Sequence, residues 1–252
     1  MLTTLTLFAL GFAVGTFGTL VGIGGGIFLV PIFILVMHYS PQNAIGTSLA
    51  VVFLNALSGT VAYIRQKKVY YDAGVRFSLA TIPGAVAGSY LAGYFTSKTF
   101  TIAFGLMLVA VASLMFYRSS AQKRAEPPFD RQHFTYNRPL GVVLSFFIGF
   151  LSSILGIGGG VIHVPLLVYV LGFPTHVATA TSHFVLAVST LFGVGSHWAL
   201  GNILPGPALA IGFGAVLGAQ FGARLSLRLQ SRLILILLSL SMAALGLRLA
   251  LS

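Results

Sequence analysis

Acidic residues are almost missing from this chain. Its 252 residues include three Asp and Glu against 14 Lys and Arg, and charged residues of both signs make up only 7%. A soluble domain carries about 25%. Hydrophobic residues make up 57%, so the chain cannot build a soluble surface and is read as an all-α integral membrane protein. Cysteine is absent, which excludes disulfides, thiolate nucleophiles and cysteine-ligated metals. The three acids, Asp72, Glu126 and Asp130, are all expected in loops. No carboxylate is then available within the membrane for sodium or proton, which argues against a cation pump. Nucleotide motifs are lacking too. A dinucleotide fingerprint starting at Gly22 needs glycine at 27, where Ile27 stands, and no Walker lysine follows. No cofactor is expected. The net charge of +11 would suit nucleic acid, but the basic residues fall in short runs beside apolar segments. That pattern follows the positive-inside rule and makes the lipid bilayer, not nucleic acid, the expected partner.

Apolar segments run at roughly 5–37, 44–64, 75–95, 99–117, 139–171, 177–200, 206–224 and 232–250. Most are near the ~20 residues that a bilayer crossing needs. The first and fifth are longer, and unbroken helices of that length would reach about 50 Å. Both are interrupted by the same run. Gly22-Ile23-Gly24-Gly25-Gly26 returns 134 positions later as Gly156-Ile157-Gly158-Gly159-Gly160, and each copy is followed by a proline, Pro31 or Pro165. Each glycine costs a helix interior roughly 0.8–1 kcal/mol against alanine, so the run breaks the helix.

The register of 134 continues without a gap. Ala44-Ile45-Gly46-Thr47-Ser48 pairs with Ala178-Thr179-Ala180-Thr181-Ser182, Gly59 with Gly193, Gly84 with Gly218, Gly88 with Gly222, and Ser97 with Ser231. The chain therefore divides into a first membrane repeat, 1–117, a polar proline-bearing linker, 118–138, and a second repeat, 139–252. The N-terminus lacks a positive n-region and aligns with internal residues from 135 onward, so it is expected to be part of the fold. The linker is expected to be a solvated connection.

Charge suggests the topology. If segments one and five are re-entrant, each half crosses three times. Arg65, Lys67, Lys68, Arg76, Arg118, Lys123, Arg124, Arg131, Arg138, Arg224, Arg228 and Arg232 then share one side, and only Lys98 and Arg248 lie opposite. The crowded side reads as cytoplasmic, linker included. An odd number of crossings makes the halves inverted repeats, each a Gly-rich broken hairpin plus three transmembrane helices.

A half-helix is expected to start near each proline, Pro31 or Pro165, with residues 22–30 partly extended. Its free N–H groups and positive dipole end favour an anion, and glycine lets a ligand approach the backbone. The candidate substrate-binding residues are Gly24, Gly25, Gly26, Gly158, Gly159 and Gly160 in the breaks, with Thr47, Ser48, Asn55, Thr181, Ser182 and His183 on the segments that follow. Ser48 and Ser182 stand as ligand contacts or as backbone-bonded hydroxyls. His183 stands as an intramembrane ionisable group or as a packing histidine. Isolated glycines such as Gly84, Gly88, Gly218 and Gly222 are assigned to close helix packing. An enzyme is not expected, because Ser182 and His183 are helix neighbours pointing about 100° apart, a poor catalytic dyad.

The paired G-I-G-G-G-x(4)-P breaks, each followed by A-x-x-T-S in a four-segment half, resemble the TauE/SafE family of sulfite exporters. The resemblance covers the chain apart from the linker. It implies a prokaryotic inner-membrane permease for a sulfur-containing anion such as sulfite, a sulfonate or thiosulfate. The cysteines of thiosulfate-uptake relatives are absent here, which counts against that branch. A passive anion channel and a carboxylate permease are the alternatives, and a homo-oligomer is left open.

Overall fold

The computed structural model describes residues 4–94, 102, 104–113, 129–131 and 133–250. The helices are α1 Thr4–Val21, α2 Gly26–Leu35, α3 Pro41–Arg65, α4 Tyr71–Leu91, α5 Phe104–Ser113, α6 Arg138–Leu155, α7 Gly160–Val170, α8 Thr175–Ala199, α9 Pro205–Ser226 and α10 Ser231–Ala250. Among the described residues there is no strand. Five helices, α1, α3, α6, α8 and α9, are long and apolar enough to cross a membrane. Local chemistry starts several of them. Ser40 caps α3 by accepting from the Asn43 N–H, and Asn137 caps α6 by accepting from the Leu140 N–H. Prolines stand in the first turns of α3, α6 and α9, where a missing N–H costs nothing.

The half-helices do not start at the prolines. They start at Gly26 and Gly160, and the segment from 26 to 30 is helical. The glycines at 22, 24 and 25 take φ of 87°, 78° and 88°, which reverses the chain within the turn and lets helix resume at once. Pro31 then sits inside α2 and only deletes one helical bond. After Pro165 the last turn of α7, Leu166–Val170, widens into a π-helix, closed by Leu171 N–H to Leu166 O at 3.0 Å.

Both breaks make hairpins. In the first, Phe17 meets Phe28 edge to face at 5.3 Å, and Val14 packs against Gly25. In the second, Gly141 near the start of α6 lies beside Leu171, past the end of α7. Phe173, beyond that end, meets Tyr136 at 5.3 Å, just before α6 begins. The chain therefore returns to the end from which it entered.

Basic residues gather at one end. Gln66 donates to the Ala223 carbonyl at 3.0 Å, beside Arg224. Arg131 donates to the carbonyls of Val69 and Lys67. Arg138 and Arg76 both reach Asp72, at 3.3 and 2.9 Å. Two expectations are corrected here. Asp72 lies in the first turn of α4, not in a loop, where a carboxylate complements the helix dipole. The end of the linker is not simply solvated, because Phe129 and Phe134 pack on Tyr70, and Tyr136 donates to Asp72 at 2.7 Å. The rest of the linker, 118–128 and 132, lies outside the described residues. So do Lys98 and Ser97 and the side chains of Ser231, Arg232 and Arg248.

The halves interlock. In place of Cβ atoms, Gly84 and Gly88 of α4 meet the Phe146 and Phe150 carbonyls of α6, and a β-carbon would stand 2.2 Å from each oxygen. Gly218 and Gly222 of α9 meet the Phe12 and Thr16 carbonyls of α1 in the same way. The second set is the first shifted by 134 residues. We expect Gly84→Leu or Gly218→Leu to force these helices apart, with an overpacking cost of about 1–3 kcal/mol. Thermal unfolding in detergent should show it, while Gly206→Ala, with open space around it, leaves the midpoint unchanged.

Candidate functional site

The two breaks are four-residue turns, 22–25 and 156–159, held by their own backbones. The Gly18 carbonyl accepts from the N–H groups of Gly22, Ile23 and Gly24 at 3.0, 2.8 and 3.1 Å. Gly156 at φ 71° caps α6 by donating to Ser152 O at 2.9 Å. Gly25 and Gly159 cap the half-helices at φ 88° and 82°, a region where side chains are strained. The N–H groups of Phe28 and Leu29 bond back to Gly25, and those of Ile162 and His163 to Gly159. Among the described residues, the N–H groups of Gly26, Ile27, Gly160 and Val161 find no partner. These are the orphan donors of a helix start.

The breaks meet. Ser48 donates to the Gly156 carbonyl at 2.8 Å, and Ser182 donates to the Gly22 carbonyl at 3.3 Å. The same two oxygens stand at the opposite half-helix starts. A β-carbon at Gly26 would lie 2.7 Å from Gly156 O, and one at Gly160 would lie 2.5 Å from Gly22 O. Each carbonyl thus places partial negative charge at the positive end of the other half's helix. Val52 and Leu186, also 134 apart, both pack against Gly24 and Gly158 and are buried. Each of these contacts made by one half has its counterpart 134 residues away in the other.

Asn55 donates from Nδ2 to Gly24 O at 3.2 Å, and its Oδ1 accepts from the Thr19 hydroxyl at 3.1 Å. His183 Nε2 lies 3.2 Å from the same Thr19 oxygen. The Thr47 and Thr181 hydroxyls point elsewhere. They accept from the N–H groups of Leu204 and Tyr70, at the entries of α9 and α4, each at 3.0 Å. The structure therefore brings ten of the twelve sequence candidates to the breaks and turns these two hydroxyls to inter-helix ties. Sequence reasoning missed Thr19, Val52 and Leu186. It also missed Ser152, whose buried hydroxyl lacks a partner and lies against Gly159. The register of 134 pairs Val52 with Leu186, a signal legible in hindsight, but a lone hydroxyl such as Ser152 carries none.

The sequence matches the family described as sulfite exporter TauE/SafE over residues 7–249. The chain belongs to the TauE/SafE family. It is 32% identical over 263 residues to "Probable membrane transporter protein YunE" of Bacillus subtilis, covering 95% of this chain and 94% of that protein. A protein of Methanocaldococcus jannaschii bearing the same transporter description is 25% identical over 256 residues, 96% of this chain and 93% of its own. YfcA of Escherichia coli, also so described, is 25% identical over 211 residues, 84% of this chain and 76% of its own. No solved structure matches. This TauE/SafE protein is an integral membrane transporter, and the relatives named above are described as probable membrane transporter proteins.

At Gly25 and Gly159 the left-handed φ leaves no strain-free β-branched residue. We expect Gly25→Val and Gly159→Val to abolish transport while inserted protein persists. Uptake into vesicles, normalised to membrane-inserted protein, checks this, and normal uptake by both variants would reduce the breaks to packing.

Proposed function

We propose that this TauE/SafE chain is a secondary transporter for a small sulfur-containing anion, sulfite or a sulfonate, bound between the two breaks. The observation that carries the reading is the reciprocal meeting of the breaks. Two helix starts, one from each half, bring unpaired N–H donors and about half a positive charge each to one buried place. The Ser152 hydroxyl, buried without a partner beside Gly159, adds a donor. Among the described residues no lysine or arginine approaches the breaks, and this suits a weakly charged oxyanion rather than a phosphate. The family description and the relatives' transporter names support transport; the identity of the anion rests on the family description together with the donor set.

The carbonyls of Gly22 and Gly156 now stand where an anion's oxygens would go. Binding exchanges them for substrate. As the breaks part, Ser48 and Ser182 lose their carbonyl acceptors and turn their hydroxyls to the anion. The halves are inverted repeats about the breaks, each with a re-entrant hairpin and three crossings, and the basic end faces the cytoplasm of a prokaryotic inner membrane. Rocking of one half against the other then exposes the site to each side in turn.

Two experiments test this. Proteoliposomes are offered sulfite, sulfonates, thiosulfate, sulfate and carboxylates. Saturable uptake with counter-exchange of sulfite or a sulfonate is expected. Ser48→Ala should weaken it by about 2- to 13-fold, one neutral hydrogen bond of 0.5–1.5 kcal/mol, and Ser48→Ala with Ser182→Ala should weaken it further. Uptake restricted to carboxylates, or non-saturating conductance, would overturn the assignment. For topology, Arg65→Cys should label only from the cytoplasm and Leu200→Cys only from outside. Labelling of both from one side would sink the inverted arrangement.

A further inference from the structure

The buried polar groups around the first break are not mirrored in the second half. Asn55 is matched by Ser189, Thr19 by Ser153 and His183 by Leu49. Their hydrogen bonds can be directed without seeing a hydrogen. Gly24 O only accepts, so the Asn55 amide nitrogen faces it and the amide oxygen faces Thr19. Asn55 Oδ1 only accepts, so the single Thr19 proton goes to it. Thr19 Oγ1 must then receive a proton from His183 Nε2. The imidazole is thereby fixed as the Nε2–H tautomer, which leaves a lone pair on Nδ1. That Nδ1 is buried and has no hydrogen-bond partner.

The other buried histidine for which both ring nitrogens are accounted for behaves differently. His197 donates from Nε2 to the Ser153 carbonyl at 3.2 Å and accepts at Nδ1 from Asn202 at 3.3 Å, so it is saturated as a neutral ring.

We propose that Nδ1 of His183 is the proton-binding site of the transport cycle, and that the protein carries its anion together with a proton. The proposal rests on the anion-transport reading above. A proton arriving from water adds to the Nδ1 lone pair and makes an imidazolium. It leaves to water on the other side when the anion departs. Among the described residues no carboxylate is placed to neutralise that charge. Asp72 is held by Tyr136, Arg76 and Arg138 at the start of α4, and Asp130 pairs with His133 outside the helices. The groups facing the imidazole are Thr19 of α1, the Gly22 carbonyl of the first break, Gly59 of α3, and Tyr63 of α3, whose ring meets it edge to face at 5.6 Å, while Thr60 donates to the His183 backbone carbonyl. Tyr63 is the one titratable group among them, and its hydroxyl is committed to Thr19 O at 2.7 Å. On the neighbouring helices Arg65, Arg224 and Arg138 stand at the basic end, and His163 of α7 bonds Ser145 at 3.1 Å. Among the described residues no other counter-charge is open to a protonated His183, which leaves the anion in the break. The proton helps the anion bind, and by linkage the anion helps the proton bind to the same degree.

Solid-state nitrogen NMR of histidine-labelled protein in lipid tests the site directly, the His183 signals being assigned by their loss in His183→Gln. At neutral pH Nδ1 should read as unprotonated and Nε2 as protonated. Asn55→Ala frees the Thr19 proton for Nε2 and should move the ring proton to Nδ1. A Nδ1–H ring in the unmodified protein overturns the proton site, whatever transport shows. In proteoliposomes an imposed proton gradient should drive sulfite accumulation with matching proton movement, read by an internal pH dye. His183→Gln keeps an N–H for Thr19 but no titrating lone pair. It should lose gradient-driven accumulation, and the sulfite counter-exchange that is left should need more sulfite and no longer respond to pH. Gradient-driven accumulation in that variant overturns the coupling. Proton-coupled uptake of a different anion keeps the coupling and overturns only the substrate.

Discussion

Everything in this molecule depends on two backbone turns that exchange carbonyls. Gly22 O stands at the start of α7 and Gly156 O at the start of α2. At membrane depth an unsatisfied backbone group costs several kcal/mol, so a broken helix persists only if its freed groups are met by protein or line a cavity. Each break here supplies what the other lacks. One turn's leftover acceptor meets the other turn's surplus positive charge, and Ser48 and Ser182 lock the arrangement from the next helix along. Neither half satisfies itself, so the halves are interdependent.

The interlocking of α1 with α9 and of α6 with α4 follows from the same requirement. A hairpin that stops at a buried turn needs flanking helices close enough to exclude lipid from the turn. Glycines provide that closeness, because backbone can touch backbone where no β-carbon intervenes. The packing glycines and the turn glycines thus serve different ends. The first set narrows a distance. The second set supplies a left-handed φ that other residues rarely adopt.

Superimposed on this symmetry is one asymmetric feature, the polar row Asn55–Thr19–His183. A symmetric pair of breaks gives the proposed anion site equal access from either half. It does not by itself explain a driving force. In the proposed coupling, the titratable group on one side of the pair would introduce a second ligand and hence a direction. The end of the linker adds another asymmetry, as the Phe129, Phe134 and Tyr136 cluster closes over Tyr70 at the basic end.

The sequence by itself determined the class, the duplication and the place of the breaks. Composition and periodicity are local properties, and a 134-residue register of Gly, Pro, Thr and Ser is visible without coordinates. It also found the residues around the breaks, because glycine runs and buried hydroxyls are conspicuous in apolar segments. The helix start was misplaced from Gly26 to Pro31, since proline is tolerated at a helix start and the competing left-handed turn needs three specific φ values that a sequence does not print. Only the tertiary structure decided which oxygen each hydroxyl meets. Thr47 and Ser48 look alike in the chain, but successive helix residues point about 100° apart, so one reaches Leu204 and the other Gly156. The hydrogen bonds around the His183 ring likewise join three side chains from α1, α3 and α8. Each bond in that row fixes the direction of the next, and no single segment of sequence contains them all.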